Sequence, residues 1–465
     1  MSAETATKHH FHRQHHDMDM TSGNISSLLI RFAIPMLIGN LFQQLYNTVD
    51  SWVVGNYVSQ AAFAAVGSVG PILNTAIGFF SGFATGAGVV IGHYAGAKDE
   101  KRLSDTVGTT MSVSLILCAV FTVVCSLSVP YMVSLMDTPE TVVADATTYL
   151  RIYFYGMTGL MLYNIGSGIL RAIGNSFLPL IALVISAVTN IILDLWFVIG
   201  FGMGTDGVAL ATVIAQALSA IFILSVLTLT KAAYRIQWSR LKIDRAILFR
   251  IVKIGVPTAF QLAITAFSNV FVQSYINAFD EDCMAGWSAY NKIDAFAMLP
   301  MQSISLAVTT FVSQNYGAGQ PERSRRGALI GIAISCAITI ILIVPIMIFA
   351  VDLVRFLNKD GTELYIYYGS LFLRWISPFY ILCIISQILA GVLRGAGESR
   401  APMLIMIGSF VVFRQLYLFT LTRLTASEMV ITFAYPTGWA VCSIIMLIYY
   451  KLAPWERHYL EAVQE

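Results

Sequence analysis

Apolar residues run along this chain in long blocks separated by short polar stretches. A block of about 20 apolar residues is what a helix needs to cross the hydrocarbon core of a bilayer. Such blocks fall at about 28–54, 61–88, 106–128, 149–170, 179–200, 207–230, 250–278, 285–312, 327–350, 366–391, 402–421 and 427–450. They predict twelve transmembrane helices, because an open backbone cannot leave its polar groups unpaired in lipid. The longest polar connection, KAAYRIQWSRLKIDRAILFRIVK at 231–253, holds seven Lys and Arg and divides the chain. The pattern therefore predicts an N-lobe over 25–230, a linker over 231–249 and a C-lobe over 250–450. Residues 1–24 are polar and include His9, His10, His12, His15 and His16; they are expected to form a disordered, His-rich cytoplasmic tail. Dense imidazoles can chelate a divalent ion, but nothing nearby defines a geometry, and no structural or catalytic metal is expected. No apolar segment follows the basic residues closely enough to make a signal peptide. Residues 451–465 are expected to be a second cytoplasmic tail.

Composition changes this picture little. The chain is 57% hydrophobic and 12% charged, where soluble proteins carry about 25% charged residues. A net charge of +2 gives no reason to expect a nucleic-acid partner. The six cysteines show neither paired nor metal-ligand spacing and are expected to pack as small hydrophobes. The basic residues set an orientation. With both termini cytoplasmic, Arg151, Arg355, Lys359, Arg374 and Arg423 fall outside and Lys292 and Arg414 within spans, leaving 21 of the 28 Lys and Arg on the cytoplasmic side.

The two halves repeat. GILRAIGNSFLPLI at 168–181 matches GVLRGAGESRAPML at 391–404, and HYAGAKDEKR at 93–102 matches QNYGAGQPER at 314–323. Pro35 pairs with Pro257, and Leu150-Arg151 with Leu373-Arg374, at nearly the same offset. Six spans per half is an even number, so the halves run parallel and are related by a pseudo-two-fold axis along the membrane normal. Two six-helix bundles with a cavity between them describe a transporter that rocks between two openings. No HExxH, GxSxG or Ser/His/Asp set stands out, and no phosphate loop is present, so an enzyme is not expected. The small-residue run GFFSGFATGAGVVIG at 78–92 is expected to permit close helix contact.

The repeat, the early prolines of the first and seventh spans, the loops AGAKDEKR and YGAGQPER, and the motifs LRAIGNSFLP and LRGAGESRAP together resemble the multidrug and toxin extrusion (MATE) family over residues 25–450. The resemblance implies a cation-coupled antiporter of organic compounds in a bacterial inner membrane. It also implies a coupling cluster in the N-lobe that binds H+ or Na+, with Tyr46 and Asp50 from the first span, Asn190 and Asp194 from the fifth, and Thr212 from the sixth.

The residues support that assignment independently. Asp50 and Asp194 are the only carboxylates within spans of the first half. A carboxylate at mid-bilayer costs about 2.5–3.5 kcal/mol on insertion scales, which marks it as functional by default. Tyr46–Asp50 and Asn190–Asp194 are spaced i,i+4, so each pair shares a helix face. Two such carboxyls brought together titrate as a unit, and Asp, Asn and Thr oxygens also suit a hard cation. At the repeat offset Asp50 corresponds to Val272 and Asp194 to Tyr417, so the second half carries no copy of the pair. Pro35, which lacks a backbone donor, is a candidate bend through which the cluster acts on its lobe.

The second half offers other candidates for the substrate cavity: Asp294 for a cationic substrate, with Gln261, Met298 and Arg414, the last expected to pair with Asp294. The seventh span has no glutamate from Gly255 to Ala278, unlike some family members. The expected partners are small organic cations or amphipathic molecules and membrane lipid, with no cofactor beyond the coupling ion and one chain sufficient as a monomer. A flippase for a lipid-linked precursor is the main alternative, although it would want a strongly basic cavity; a non-transporting membrane receptor is a more remote one.

Overall fold

The computed structural model describes residues 17–135, 140–359, 361–425 and 427–453. The histidines of the expected N-terminal tail and residues 454–465 lie outside the described residues. Helices α1 (Ile25–Val53), α2 (Gln60–Ala97), α3 (Glu100–Leu135), α4 (Glu140–Ala172), α5 (Phe177–Leu195) and α6 (Thr205–Leu229) form the first lobe. Helices α7 (Arg245–Ile276), α8 (Glu281–Gly317) and α9 (Pro321–Ile348) begin the second. A short α10 (Ala350–Leu357) precedes α11 (Glu363–Ile376) and α12 (Tyr380–Gly395), which make one span broken at Ser377–Phe379 around Pro378. Then α13 (Arg400–Ile407) and α14 (Arg414–Leu424) form a second interrupted span, and α15 (Glu428–Leu452) is the last.

Among the described residues, eleven helical segments are long and apolar enough to cross a bilayer. The twelfth expected span, 149–170, lies within the 33-residue α4. That helix is long enough but carries Tyr149, Tyr153, Tyr163 and Asn164, which its packing between α2, α3 and α6 turns inward. The helices overrun the apolar blocks because capping residues at the water interface close their ends. Asn24 accepts from the Ser27 amide, Asp244 from those of Ala246 and Ile247, and Asp280 from that of Cys283. The last of the residues assigned to the linker, 245–249, form the first turn of α7. All six cysteines are free thiols.

The lobes meet along the half of the bundle that bears the N-terminus and the basic loops, here called the basic face. A Cβ on Gly82 would stand 2.3 Å from Cα of Ala259, and one on Gly86 2.4 Å from Cα of Gly255, so α2 and α7 approach to backbone contact as the small-residue run predicts. Gly96 and Gly317, related by the repeat, each press on the other lobe: added Cβ atoms would lie 1.9 Å from the carbonyl oxygens of Gln314 and His93. The packing also crosses over. Leu29, Phe32, Ala33 and Met36 of α1 belong to the core of the second lobe, and Ile247, Ile251 and Ile254 of α7 to the core of the first.

Residues 17–24, which the polar pattern places in the disordered tail, are packed. The Asp17 carboxylate accepts from Asn175 Nδ2 at 2.9 Å and from the Tyr234 hydroxyl at 3.0 Å, and Met20 is fully buried. Burial, and next the nearby Asp17 charge, push the Tyr234 hydroxyl well above its ordinary range, so it remains a donor. Two apolar side chains, Met18 and Met20, the Asp17 carboxylate and a few backbone bonds hold this strap, too few to register in a pattern read in windows.

Candidate functional site

A cavity of about 480 Å³ opens between the lobes in the half of the bundle remote from the basic face. One wall is a polar stripe along α1: Asn40, Gln43, Gln44, Asn47 and Asp50, at the i,i+3/i+4 spacing of one helix face. Gln216 and Tyr153 face it from α6 and α4, and Ala295, Leu299 and Gln302 of α8 close the side belonging to the second lobe. A helix places such a stripe in lipid only where it lines protein or water, which is why these amides cluster here.

Asp50 stands at the edge of this cavity and Asp194 behind it. Asp50 is 8% exposed, Asp194 0%. Asp194 and Asn190, one turn apart on α5, are side-chain neighbours of the Asp50 carboxyl. Thr212 Oγ1 is 3.5 Å from Asp50 Oδ2 and receives Asn190 Nδ2 at 3.4 Å. Its single proton has a closer acceptor, the Val208 carbonyl at 3.0 Å, so the hydroxyl does little to satisfy Asp50. Tyr46 lines the same cavity, one helical turn before Asp50. The five residues expected to form a coupling cluster, from three separate helices, are therefore brought together.

The arrangement is short of donors. Asp50 Oδ1, both oxygens of Asp194, Asn190 Oδ1 and Gln216 Oε1 are buried with no hydrogen-bond donor among the described residues. Ionised carboxylates only accept. Two neighbouring carboxyls whose buried oxygens find no donor among the described residues are an arrangement that a proton on one, or a cation shared by both, would satisfy. Both acidic helices also change winding nearby: π-helical turns follow at Val54–Val58 and Trp196–Gly200, and the two turns touch. Short π-helical insertions recur at functional sites because they re-aim side chains within a helix.

Pro35 interrupts the bonding of α1 at an informative place. Before it, Leu29, Phe32 and Ala33 pack on the second lobe; beyond it, Tyr46 and Asp50 face the first lobe's cluster. The missing backbone bond sits where the helix passes from one lobe to the other.

The second-lobe candidates do not line this cavity. Residues 295, 299 and 302 do, so Asp294 and Met298 lie one position earlier, rather more than a quarter-turn round α8. Asp294 accepts from the Tyr290 hydroxyl at 3.2 Å and from that of Tyr380. Met298 is in the lobe's core. Gln261 accepts from Arg394 Nη1 at 3.2 Å. Arg414 does not pair with Asp294: it donates to Ser268 Oγ at 3.0 Å and Asn269 Oδ1 at 2.8 Å and lies over the Tyr435 ring. Neutral acceptors and a ring face hold this guanidinium without a second buried charge, while its Nε finds no acceptor among the described residues. The α1 amide stripe is the part of the site that the sequence reading missed; Asn40, Gln43, Gln44 and Asn47 recurring within an apolar block is the signal that discloses it.

These features define an integral, multi-pass membrane protein built as two repeated helical lobes around a polar cavity, a transporter in class. The MatE family model matches the chain twice, over residues 35–196 and 257–419, so the two halves defined by the repeat each carry a full copy. The chain belongs to the MatE family of multidrug and toxin extrusion transporters. It is 29% identical over 436 residues to the probable multidrug resistance protein YoeA of Bacillus subtilis, covering 92% of this chain and 93% of that one. It is 24% identical over 381 residues to an FAD transporter of Shewanella oneidensis, covering 78% and 79%. Its fold superposes on the outward-facing conformation of a multidrug resistance MATE family transporter with a TM-score of 0.88 at 23% identity, covering 96% of this chain and 98% of that chain.

Proposed function

We propose that this protein is an antiporter that exports organic cations or amphipathic drugs in exchange for H+ or Na+ entering through the Asp50/Asp194 site. The observation that carries the reading is the pair of facing carboxyls with oxygens that no donor reaches. A proton or a sodium ion supplies what the protein withholds, and the side chains that hold it border the cavity where a substrate sits. Occupancy changes the packing of α1 beyond Pro35 and so alters the cavity wall; the lobes then rock about their contacts on the basic face, each state favoured by the ligand that binds it better. One elementary charge crossing 100 mV contributes about 2.3 kcal/mol, enough to bias such a two-state carrier.

The multidrug resistance relatives support drug export, and the cavity lining supports a cationic or neutral cargo. Asp50 is its one charged residue among the described positions, and no Lys or Arg faces it. That lining speaks against a lipid-pyrophosphate flippase and against an anionic cargo such as FAD at this site. The protein works as a single chain in a bacterial inner membrane with its basic face to the cytoplasm. The test is dye efflux from proteoliposomes with a pH gradient or a sodium gradient imposed separately: one of the two drives export, and export driven by neither removes the coupled reading.

A further inference from the structure

The pseudo-two-fold relates two grooves on the basic face, each bounded by the loop after the second span of one lobe and the loop after the fourth span of the other. Their frames are alike. Gln314 Nε2 donates to the Ala172 carbonyl at 2.8 Å in one, and His93 Nε2 lies 2.8 Å from the Gly395 carbonyl in the other. Gly174 and Gly397 both take φ of +93°, and Arg323 and Arg102 hold matching positions in the repeat. The first groove is filled by the N-terminal strap. The Met18 amide donates to the Gly174 carbonyl at 3.2 Å, the Met20 carbonyl accepts from Asn315 Nδ2 at 2.9 Å, and the Gly23 carbonyl accepts from Arg323 Nη2 at 2.8 Å.

Among the described residues no strap enters the second groove. The chain that precedes α7 there runs instead to α3, where Thr109 Oγ1 donates to the Lys242 carbonyl at 3.3 Å and receives the Asp244 amide at 3.1 Å. A cavity of about 560 Å³ results, walled by both lobes. Arg102 reaches it from the first lobe and Arg250, Lys253 and Arg400 from the second, above an apolar floor that includes Val90 and Ile254. The two acids that share it are engaged within their own loops: Asp99 accepts from the Arg102 amide at 2.9 Å and pairs with its guanidinium at 3.8 Å, and Glu398 accepts from the amides of Arg400 and Ala401, each at 3.0 Å. Lys253 and Arg400 have no side-chain partner among the described residues.

We propose that this second groove binds a phosphate ester, whose oxygens take the place at Arg102 that backbone carbonyls take at Arg323 in the mate groove, with Lys253 and Arg400 as further donors from the other lobe. Guanidinium and ammonium donors match phosphate oxygens, and the apolar floor accommodates the ester's organic part. The site sits at the ends of membrane-spanning helices, at the depth of lipid headgroups, where clustered Lys and Arg attract anionic lipid. An anion held by Arg102 on one side and by Lys253 and Arg400 on the other ties the lobes together and favours this face closed. Binding itself is independent of the transport reading.

The test uses the full chain in nanodiscs of phosphatidylcholine alone, of phosphatidylcholine with phosphatidylglycerol, and of phosphatidylcholine with glycerol 3-phosphate in the buffer. The readouts are melting temperature and a spin-label distance across the basic face. Phosphatidylglycerol raises the melting temperature and shortens the distance if the source is lipid; glycerol 3-phosphate does so if the source is soluble. In the double variant K253Q/R400Q the half-saturating concentration of the effective probe rises at least about tenfold, since each charged hydrogen bond lost is worth roughly that factor. The charge-keeping variant K253R/R400K restores most of the response, which separates loss of the site from loss of the fold. Equal responses of wild type and K253Q/R400Q to both probes, or no response of the wild type to either, overturn the proposal.

Discussion

In the first lobe the neighbouring carboxyls of Asp50 and Asp194 have three oxygens that no donor reaches among the described residues; in the second, the carboxyl of Asp294 receives the hydroxyls of Tyr290 and Tyr380. At the position matching Asp50 the second lobe has Val272, fully buried in its core. The lobes share a fold and a repeat, so their common architecture does not require a membrane-buried acid pair. What separates them is satisfaction. A buried acid with two donors is in a resting state, and removing a partner is costly because the group left behind is desolvated. A pair of neighbouring acceptors lacks such donors, and in the proposed function a loose cation completes it. The first arrangement is suited to holding a lobe together, the second to exchanging an ion.

The sharpest way to break this contrast is to neutralise each acid in turn. Asp50→Asn, at matched expression, is expected to lower gradient-driven efflux to the level of protein-free vesicles, and efflux equal to wild type rejects the exchange role. Gly96→Ala comes next. Its methyl would lie 1.9 Å from the Gln314 carbonyl, so the lobes must part at the basic face. A lengthened spin-label distance and several-fold slower transport are expected. Pro35→Ala, which returns a backbone bond to α1, is expected to leave the fold intact and slow transport by a smaller, several-fold factor, read as a drop in turnover rate at saturating substrate. The smallest effect on transport belongs to Asp294→Asn. Efflux stays within about twofold of wild type, while the two hydroxyl bonds, kept on the amide oxygen but no longer charge-assisted, cost on the order of 1 kcal/mol of stability, seen as a lower melting temperature. If Asp294→Asn abolishes efflux as Asp50→Asn does, the two lobes are not different in kind.

Much of this was open to reading from the residues. The apolar blocks disclose the spans because lipid demands uninterrupted helices, and the offset between Pro35 and Pro257 discloses the two lobes. The two isolated acids and their i,i+4 companions, Tyr46 and Asn190, stand out by spacing, while Thr212 and the joining of the five into one cluster came from the resemblance to the family. Three things were not legible. Asp294 and Met298 point away from the cavity, and rotation about a helix axis is set by neighbours that one helix's sequence does not name. Arg414 finds Ser268, Asn269 and Tyr435 in place of a carboxylate, since a guanidinium in lipid needs acceptors and not necessarily an opposite charge. Residues 17–20 are held by Asp17, two methionines and several backbone bonds, too short and mixed a segment for side-chain pattern to disclose.

The order in which the two acids stand has a further consequence. Asp194 is fully buried and does not line the cavity, whereas Asp50 does. A molecule lodged against Asp50 therefore stands between the cavity and the inner acid. In the proposed exchange, cargo and ion would queue at one doorway, and a lock against futile leakage would come from their order without a separate gate.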